Sequence, residues 1–390
     1  MTTKCLFPGI KVAIDASRGR SGGAKAHLIG FLEEADPKKF GVDEIHVWSY
    51  SGLLKSLPER DWLYVHSDAD LERGLVSQLI WQKTKLAKEI ESKGCHVVLS
   101  TDAGTVKVFH PSVVMSRDML SFERSEIARY KQLGAWLRLF VLRFVQSRSL
   151  KKADGALFLT EYASKTIQTW TGPIKNQRII PHGVGKTFKN NTRANPWPEQ
   201  NERNIHCLYI SNTAMYKHQW HVVEAFKMLR DEGYPVEIEF VGGGQGLSND
   251  RLNQSIKEHD PKGEFTSRYE FLPHAELPSK LASADLFVFA SSCENMPNTL
   301  VEAMSCGLPI ACSELGPMPE VLKNGGVYFK PENSESIKDG IKLLLNNAEQ
   351  RETFAARAKV LSENYSWRRC SDETLEYLVN IYQSSINLNT

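Results

Sequence analysis

At 390 residues, with 41% hydrophobic and 24% charged side chains, the chain has the composition of a folded globular protein of more than one domain. No stretch reaches the roughly 18 consecutive apolar residues of a membrane-spanning helix, and seven cysteines without a C-x-x-C pair argue for reduced, buried thiols of a cytosolic protein rather than a disulfide framework. The net charge of +2 hides an asymmetry: residues 1–189 carry 29 Lys and Arg against 19 Asp and Glu, a surplus of +10, while the remainder carries −8.

A basic first half faces an anionic partner. It opens on Met1-Thr-Thr-Lys with no apolar segment behind it, so no signal peptide is visible. Strand-like apolar runs follow at Ile10–Ile14, Ile45–Tyr50, Trp62–His66, Val97–Ser100, Val113–Ser116 and Ala156–Leu159. Helical patterns separate several of them, notably His27–Glu34 and Leu71–Ser92. Such alternation predicts a parallel, doubly wound sheet, whose ligands sit beyond the carboxyl ends of its strands.

After the first strand comes Arg18-Gly-Arg20-Ser21-Gly22-Gly23-Ala24. Adjacent glycines let backbone approach a ligand and the next helix offers free N–H groups, although a plain flexible turn has the same composition. Asp68-Ala-Asp70 has the spacing of a metal-binding D-x-D, but it stands before a helix, where Asp is favoured as an N-cap. Asp102 ends one buried strand, and Arg117-Asp118-Met119 ends the next. The alternatives there are a turn cap for Asp102 and an internal salt bridge for Arg117 with Asp118.

Between Phe122 and Lys152, Arg138, Arg143, Arg148, Lys151 and Lys152 recur among Trp136, Leu139, Phe140, Leu142, Phe144 and Val145. This predicts a basic amphipathic helix of the kind that lies in a membrane interface and attracts anionic lipid. A core-facing helix with a solvated basic side is the alternative. A nucleic-acid partner is not expected, because no recognition motif accompanies the charge.

Lys186–Asn204, polar and carrying Pro196 and Pro198, reads as a linker. A second sheet is predicted from Ile205–Ser211, Val236–Val241, Tyr269–Leu272, Leu286–Ala290, Ile310–Ser313 and Val327–Phe329. Gly242-Gly-Gly-Gln-Gly246 reads as a structural turn, and the eleven histidines show no metal spacing. The densest signal lies between Asp285 and Leu322. A buried strand runs into polar Ser291–Asn295, then Pro297, then a helix with Asn298 or Thr299 as its N-cap. Unpaired N–H groups around Asn298–Val301 suit a diphosphate, while Glu294 and Glu302, eight positions apart, suit sugar and ribose hydroxyls. A loop charge and a solvated helix residue are the alternatives. A helical run at Asp372–Gln383 closes the chain.

Glu294-x7-Glu302, with EAMSCGLPIACS and Pro319-Glu-Val321 behind it, resembles the donor-site signature of retaining GT-B glycosyltransferases, specifically glycosyltransferase family 4 of the bacterial O-antigen or capsular type. The resemblance implies two Rossmann-like domains facing a central cleft. Residues 1–189 would be the acceptor domain, 190–204 a linker, 205–365 the nucleotide-sugar domain, and 366–390 a helix returning to the first domain. It implies that Glu302 holds the ribose and Glu294 the donor sugar near the reacting carbon. Lys217, Gly22, Gly23 and the amides of Asn298, Thr299 and Leu300 would meet the diphosphate, with Leu272-Pro273-His274 beside the base. Asp102 would be a cleft residue, with Arg117 and Asp118 on the acceptor side.

Two departures stand out. Asn295-Met-Pro-Asn298 replaces a Gly-Phe-Gly type segment, and Ser211 or Asn212 stands where relatives place a phosphate-clamp Arg, leaving Arg18 or Arg20 to compensate. The implied activity is metal-independent hexosyl transfer without a cofactor, from a UDP-sugar carrying GalNAc, GlcNAc, Gal or Glc. The implied acceptor is a lipid-diphosphate-linked saccharide at the cytoplasmic face of a membrane. A UDP-sugar epimerase, a phosphorylase and a silent sugar-nucleotide-binding protein are the rivals.

Overall fold

The computed structural model describes residues 9–387 apart from Ser21, 107–108, 131–132, Asn195 and 200–201. Ser21 of the glycine segment and the Met1-Thr-Thr-Lys start thus lie outside the described residues. The chain divides into two compact units, one of Met1–Gly183 with Ser366–Thr390 and one of Val184–Tyr365.

The first unit is built on a seven-stranded parallel sheet. Its strands are β1 (Ile10–Asp15), β2 (Val42–Trp48), β3 (Leu63–His66), β4 (Val97–Ser100), β5 (Ser112–Met115), β6 (Gly155–Phe158) and β7 (Gln177–Ile179), in the order β3-β2-β1-β4-β5-β6-β7. β4, β5 and β6 are buried along their whole length, which is why they read as unbroken apolar runs. The order reverses between β1 and β4, so the loops after Asp15 and Ser100 leave the sheet side by side. The span Leu71–Ser92 differs from the single helix its periodicity predicts. Extended backbone at Arg73 and Gly74 and a break at Lys85 divide it into Ala69–Glu72, Leu75–Thr84 and Leu86–Ser92. Its apolar side chains still converge: Leu71, Trp81, Leu86 and Ile90 share a core with Ala13, Trp48 and Val98.

The helix Trp367–Asn387 belongs to this unit. Its Ser371 hydroxyl donates to the Phe31 carbonyl at 2.6 Å.

The second unit repeats the plan with six parallel strands. They are β8 (Ile205–Ile210), β9 (Val236–Val241), β10 (Thr266–Tyr269), β11 (Leu286–Phe289), β12 (Ile310–Ser313) and β13 (Val327–Phe329), ordered β10-β9-β8-β11-β12-β13. β10 ends at Tyr269, three residues short of the predicted Leu272, and Phe271 is 81% exposed. The polar stretch after Gly183 packs on this second unit: Arg193 N–H donates to Cys306 O, Ala194 N–H to Ala282 O, and the Arg351 guanidinium lies 3.6 Å from the Trp197 ring centre. Here the order reverses between β8 and β11. Two parallel Rossmann-like sheets of this kind make the GT-B fold.

Candidate active site

At the switch point of the second sheet, the loop after β8 and the loop after β11 are sewn together. Ser292 N–H donates to Tyr216 O at 2.8 Å, and Ser292 Oγ lies 2.9 Å from His218 Nε2. Tyr209 reaches up from β8 to donate its hydroxyl to Lys217 O at 2.6 Å. His218 completes the turn with φ of +49°, an unusual conformation for a side-chain-bearing residue. Gly242 at the end of β9 has φ of +122°, and a Cβ there would lie 2.2 Å from Ser211 O, so only glycine fits.

This seam brings Lys217 and Glu294 into a direct ion pair. Their side chains are only 8% and 15% exposed, and the ammonium lies 5.3 Å from the ring centres of both Tyr216 and Phe289. Asn212 is exposed on the same loop, and Asn295 is buried beside Glu294. The helix that follows, Asn298–Ser305, has Pro297 as its N-cap, not Asn298 or Thr299, and the cap makes no side-chain bond. Its first amides also differ from expectation. Asn298 N–H donates to Met296 O, and Leu300 and Val301 N–H both donate to Pro297 O. That leaves Thr299 N–H as the one of the four without a protein partner among the described residues. With Pro297 as the N-cap, its carbonyl accepts the first i→i−4 bond from Val301 and an i→i−3 bond from Leu300, so the helix start leaves fewer amides open than expected.

Glu302 stands one turn further on, 3.6 Å from His274 Nε2, and the two make an ion pair when the imidazole is protonated. The Glu302 carboxylate beside it raises the His274 pKa above its ordinary value, against the opposing effect of burial. Below them, burial pushes the Cys306 thiol up to about 12. All six described cysteines are buried and unpaired, inert in that state.

In the first unit, Gly22 and Gly23 are exposed and open the helix Gly22–Glu34. Both arginines of that segment are committed internally. Arg18 Nη1 donates to Gly104 O at 2.5 Å and lies 3.5 Å from the Asp102 carboxylate. Arg20 Nη2 donates to Leu71 O at 2.5 Å, with its guanidinium 4.3 Å from the Tyr50 ring centre. Asp102 caps the turn after β4 by accepting from Gly104 N–H at 2.6 Å. Arg117 and Asp118 make no salt bridge with each other: Asp118 accepts from Leu120 N–H and Gln146 Nε2. Burial raises the Asp118 pKa, while Arg117 Nε and Nη1 are buried with no hydrogen-bond partner among the described residues. Asp68 caps the Ala69–Glu72 helix through Asp70 N–H, and both carboxylates of the D-x-D pair with Lys85. Among the described residues no group of three His, Cys, Asp or Glu could hold a metal.

The basic stretch forms the helix Leu133–Lys152. Leu133, Trp136, Leu137, Phe140, Val141 and Phe144 are 46–80% exposed on it, while Leu139, Gln146, Ser149 and Leu150 face inward. Arg143 does not join the outward-facing cations; its guanidinium lies 3.8 Å from the ring centre of Trp170. Arg138, Arg148, Lys151 and Lys152 are exposed. No helix of the described residues is long and apolar enough to cross a membrane.

Residues 192–360, most of the second unit, match the family "Glycosyl transferases group 1". The chain is 29% identical over 173 residues to O-antigen chain mannosyltransferase B of Escherichia coli, a match that spans 44% of each protein. It therefore covers less than half the length of that relative. Among solved structures, sucrose-phosphate synthase from Thermosynechococcus elongatus superposes with a TM-score of 0.77 over 97% of this chain and 100% of that one, at 14% identity. Anabaena HepE in complex with UDP and glucose gives 0.69 over 94% and 98%, at 16% identity. These likenesses establish the fold.

Proposed function

We propose that this protein is a retaining glycosyltransferase that moves a hexose from a UDP-linked donor to a lipid-diphosphate-linked saccharide in the assembly of a surface polysaccharide. The observation that carries the reading is the Lys217–Glu294 pair at the switch point of the second sheet, with Glu302 one helical turn beyond it. A cation on the loop after β8 and two carboxylates on the loop and helix after β11 supply complementary partners for a nucleoside diphosphate sugar: ammonium for phosphate, carboxylates for hydroxyls. The match of residues 192–360 to the glycosyl transferases group 1 family and the solved HepE complex with UDP both support it.

In this mechanism Lys217 leaves Glu294 for the diphosphate and neutralises the charge that grows as the sugar departs. Glu294, released, accepts from the sugar hydroxyls and sets the anomeric carbon toward the acceptor. Glu302 accepts from the ribose, and Thr299 N–H adds a donor to the phosphate. The leaving phosphate takes the acceptor proton, so no protein nucleophile and no metal is needed. Gly22, Gly23 and Asp102 are assigned to the donor, and Arg117 and Asp118 to the acceptor. The exposed apolar and basic surface of the Leu133–Lys152 helix holds the protein to the cytoplasmic face of the membrane that carries the lipid-linked acceptor.

The donor sugar is drawn from GalNAc, GlcNAc, Gal and Glc, and the mannosyltransferase relative adds mannose. A panel of UDP-sugars with GDP-mannose, read by thermal shift and then by diphosphate release with and without lipid-linked acceptor, tests the whole reading. Acceptor-dependent release supports it. Release that ignores the acceptor identifies an epimerase or phosphorylase, and binding without turnover identifies a silent nucleotide-binding protein.

A further inference from the structure

The inner flank of the basic helix closes over a cavity of about 410 Å³ in the first unit. Val106 and Val145 wall one part of it, and Thr105, His110, Arg148, Ser149 and Lys152 supply its polar groups. Three observations on this cavity point the same way. Arg148 and Lys152 are cations with no carboxylate partner among the described residues, and the Leu133–Lys152 helix contains no acidic residue. Ser149, only 2% exposed, has a buried hydroxyl with no hydrogen-bond partner among the described residues, an arrangement that costs stability unless a ligand supplies one. The carboxylate at this rim, Asp154, is already engaged, accepting from Ser112 N–H at 2.8 Å and lying 2.9 Å from His110 Nδ1.

The surroundings specify what kind of anion belongs there. Positions 137, 141, 144, 148 and 152 follow one another at helical spacing, so the exposed apolar stripe of Leu137, Val141 and Phe144 runs along the same helix toward the two cations of the cavity. A cationic socket at one end of an apolar stripe fits an amphiphile with a phosphate head. His110 and Lys152 stand two and three residues before β5 and β6, which places them at the amino-terminal edge of the sheet. Asp102, Arg117 and Asp118 occupy the opposite, carboxyl-terminal edge. The two cations of the socket therefore stand apart from the groups assigned to catalysis.

We propose that this cavity binds the phosphate of an anionic phospholipid of the bilayer, with the lipid chains lying against the apolar stripe. The inference deepens the membrane contact described above and rests on it. It turns a diffuse basic surface into a defined site: Arg148 and Lys152 pair with the phosphate, Ser149 donates its hydroxyl to it, and the helix lies in the interface plane.

The test is flotation of the full chain with phosphatidylcholine vesicles, with and without phosphatidylglycerol. Wild type is expected to float only with the phosphatidylglycerol vesicles. Neutralising both cations in Arg148→Gln with Lys152→Gln should lower partitioning roughly 10- to 30-fold. Val145→Trp fills the socket without changing charge, and it should lose most of the same binding. Arg138→Gln, outside the socket, should lose only a few-fold. Undiminished flotation of either socket variant overturns the proposal, and a fall with the cation variant alone reduces the surface to diffuse attraction and overturns it too. Nucleoside diphosphate binding, measured on the same samples, separates this inference from the proposed function. Vesicle binding without nucleotide binding removes the transferase reading and leaves the socket, and the reverse result removes the socket alone.

Discussion

Lys217 and Glu294, 77 residues apart in sequence, neutralise one another at the switch point of the second sheet. The cation assigned to the donor phosphate and the carboxylate assigned to the donor sugar are thus each other's partner until a ligand separates them. Removing one member of so enclosed a pair strands the other charge, a loss on the order of 3 kcal/mol. Glu294→Gln should therefore lower the melting temperature. It should also leave the ammonium unopposed, so nucleoside diphosphate binds at least as tightly as to wild type while sugar transfer falls by about 100-fold or more. Lys217→Gln should lose diphosphate affinity instead. Calorimetric titration of both variants checks the split, and weaker diphosphate binding in Glu294→Gln would refute the exchange.

Glu302 and His274 set a pH dependence with a definite sign. The Glu302 carboxylate raises the imidazole pKa, so the charged pair is complete below the ordinary histidine value of roughly 6.5 and is lost as pH rises through the raised value. Its contribution to stability follows the same course. The histidine side chain is 64% exposed, so solvent screening holds that contribution to a few tenths of a kcal/mol. Nucleotide affinity should move the other way, rising with pH as His274 releases the carboxylate that the ribose needs. His274→Ala should flatten the profile at its high-affinity level. A profile unchanged by that substitution would exclude the competition.

The fold was legible because buried parallel strands announce themselves. Leu286–Phe289 and Val97–Ser100 are apolar throughout and buried throughout, and the helical spacing between strands set the crossover topology. The site was legible only as residue types. That Glu294 and Glu302 flank a helix start could be read from spacing, but which backbone amides remain open could not. Pro297 O takes Leu300 and Val301 because the helix is capped at Pro297, one residue before the predicted cap, and composition does not fix a helix start to one residue. The commitments of Arg18 and Arg20 were hidden for the same reason, since their acceptors lie 86 and 51 residues away. His274 was visible as a residue near the base, but its pairing with Glu302 depends on how the segment after β10 packs.

Arg203 and Asp285 hold the entrance to the second sheet. Asp285 is fully buried, accepts two hydrogen bonds from the guanidinium at 2.5 and 2.8 Å, and accepts a third from His206 N–H at 2.8 Å. Asp285→Ala strands the guanidinium and an amide at the first residues of β8 and β11. A loss of about 3–5 kcal/mol is expected, seen as a lower urea midpoint. Arg203→Met, which keeps bulk but leaves the carboxylate alone, should cost a comparable amount. A loss under 1 kcal/mol in Asp285→Ala would show that the pair is dispensable.

Gly30 and Trp367 decide whether the terminal helix docks within the first unit. A Cβ on Gly30 would lie 2.4 Å from the indole, and that ring packs against the stacked imidazoles of His27 and His182, at centroid distances of 5.9 and 5.7 Å. Helix propensity alone favours Gly30→Ala by about 1 kcal/mol. The overlap opposes it, because a ring already packed against two stacked imidazoles must shift by about an ångström to make room, and overpacking of this kind costs about 1–3 kcal/mol. Net destabilisation is therefore expected, growing from Ala to Val, with earlier proteolytic release of the segment after Ser366. Trp367→Leu removes the ring that the new methyl meets. It should destabilise the wild-type background by cavity formation yet partly rescue Gly30→Ala, giving a favourable coupling in the double-mutant cycle. Additive losses would mean that the glycine and the indole act independently, and that something other than this contact seats the helix.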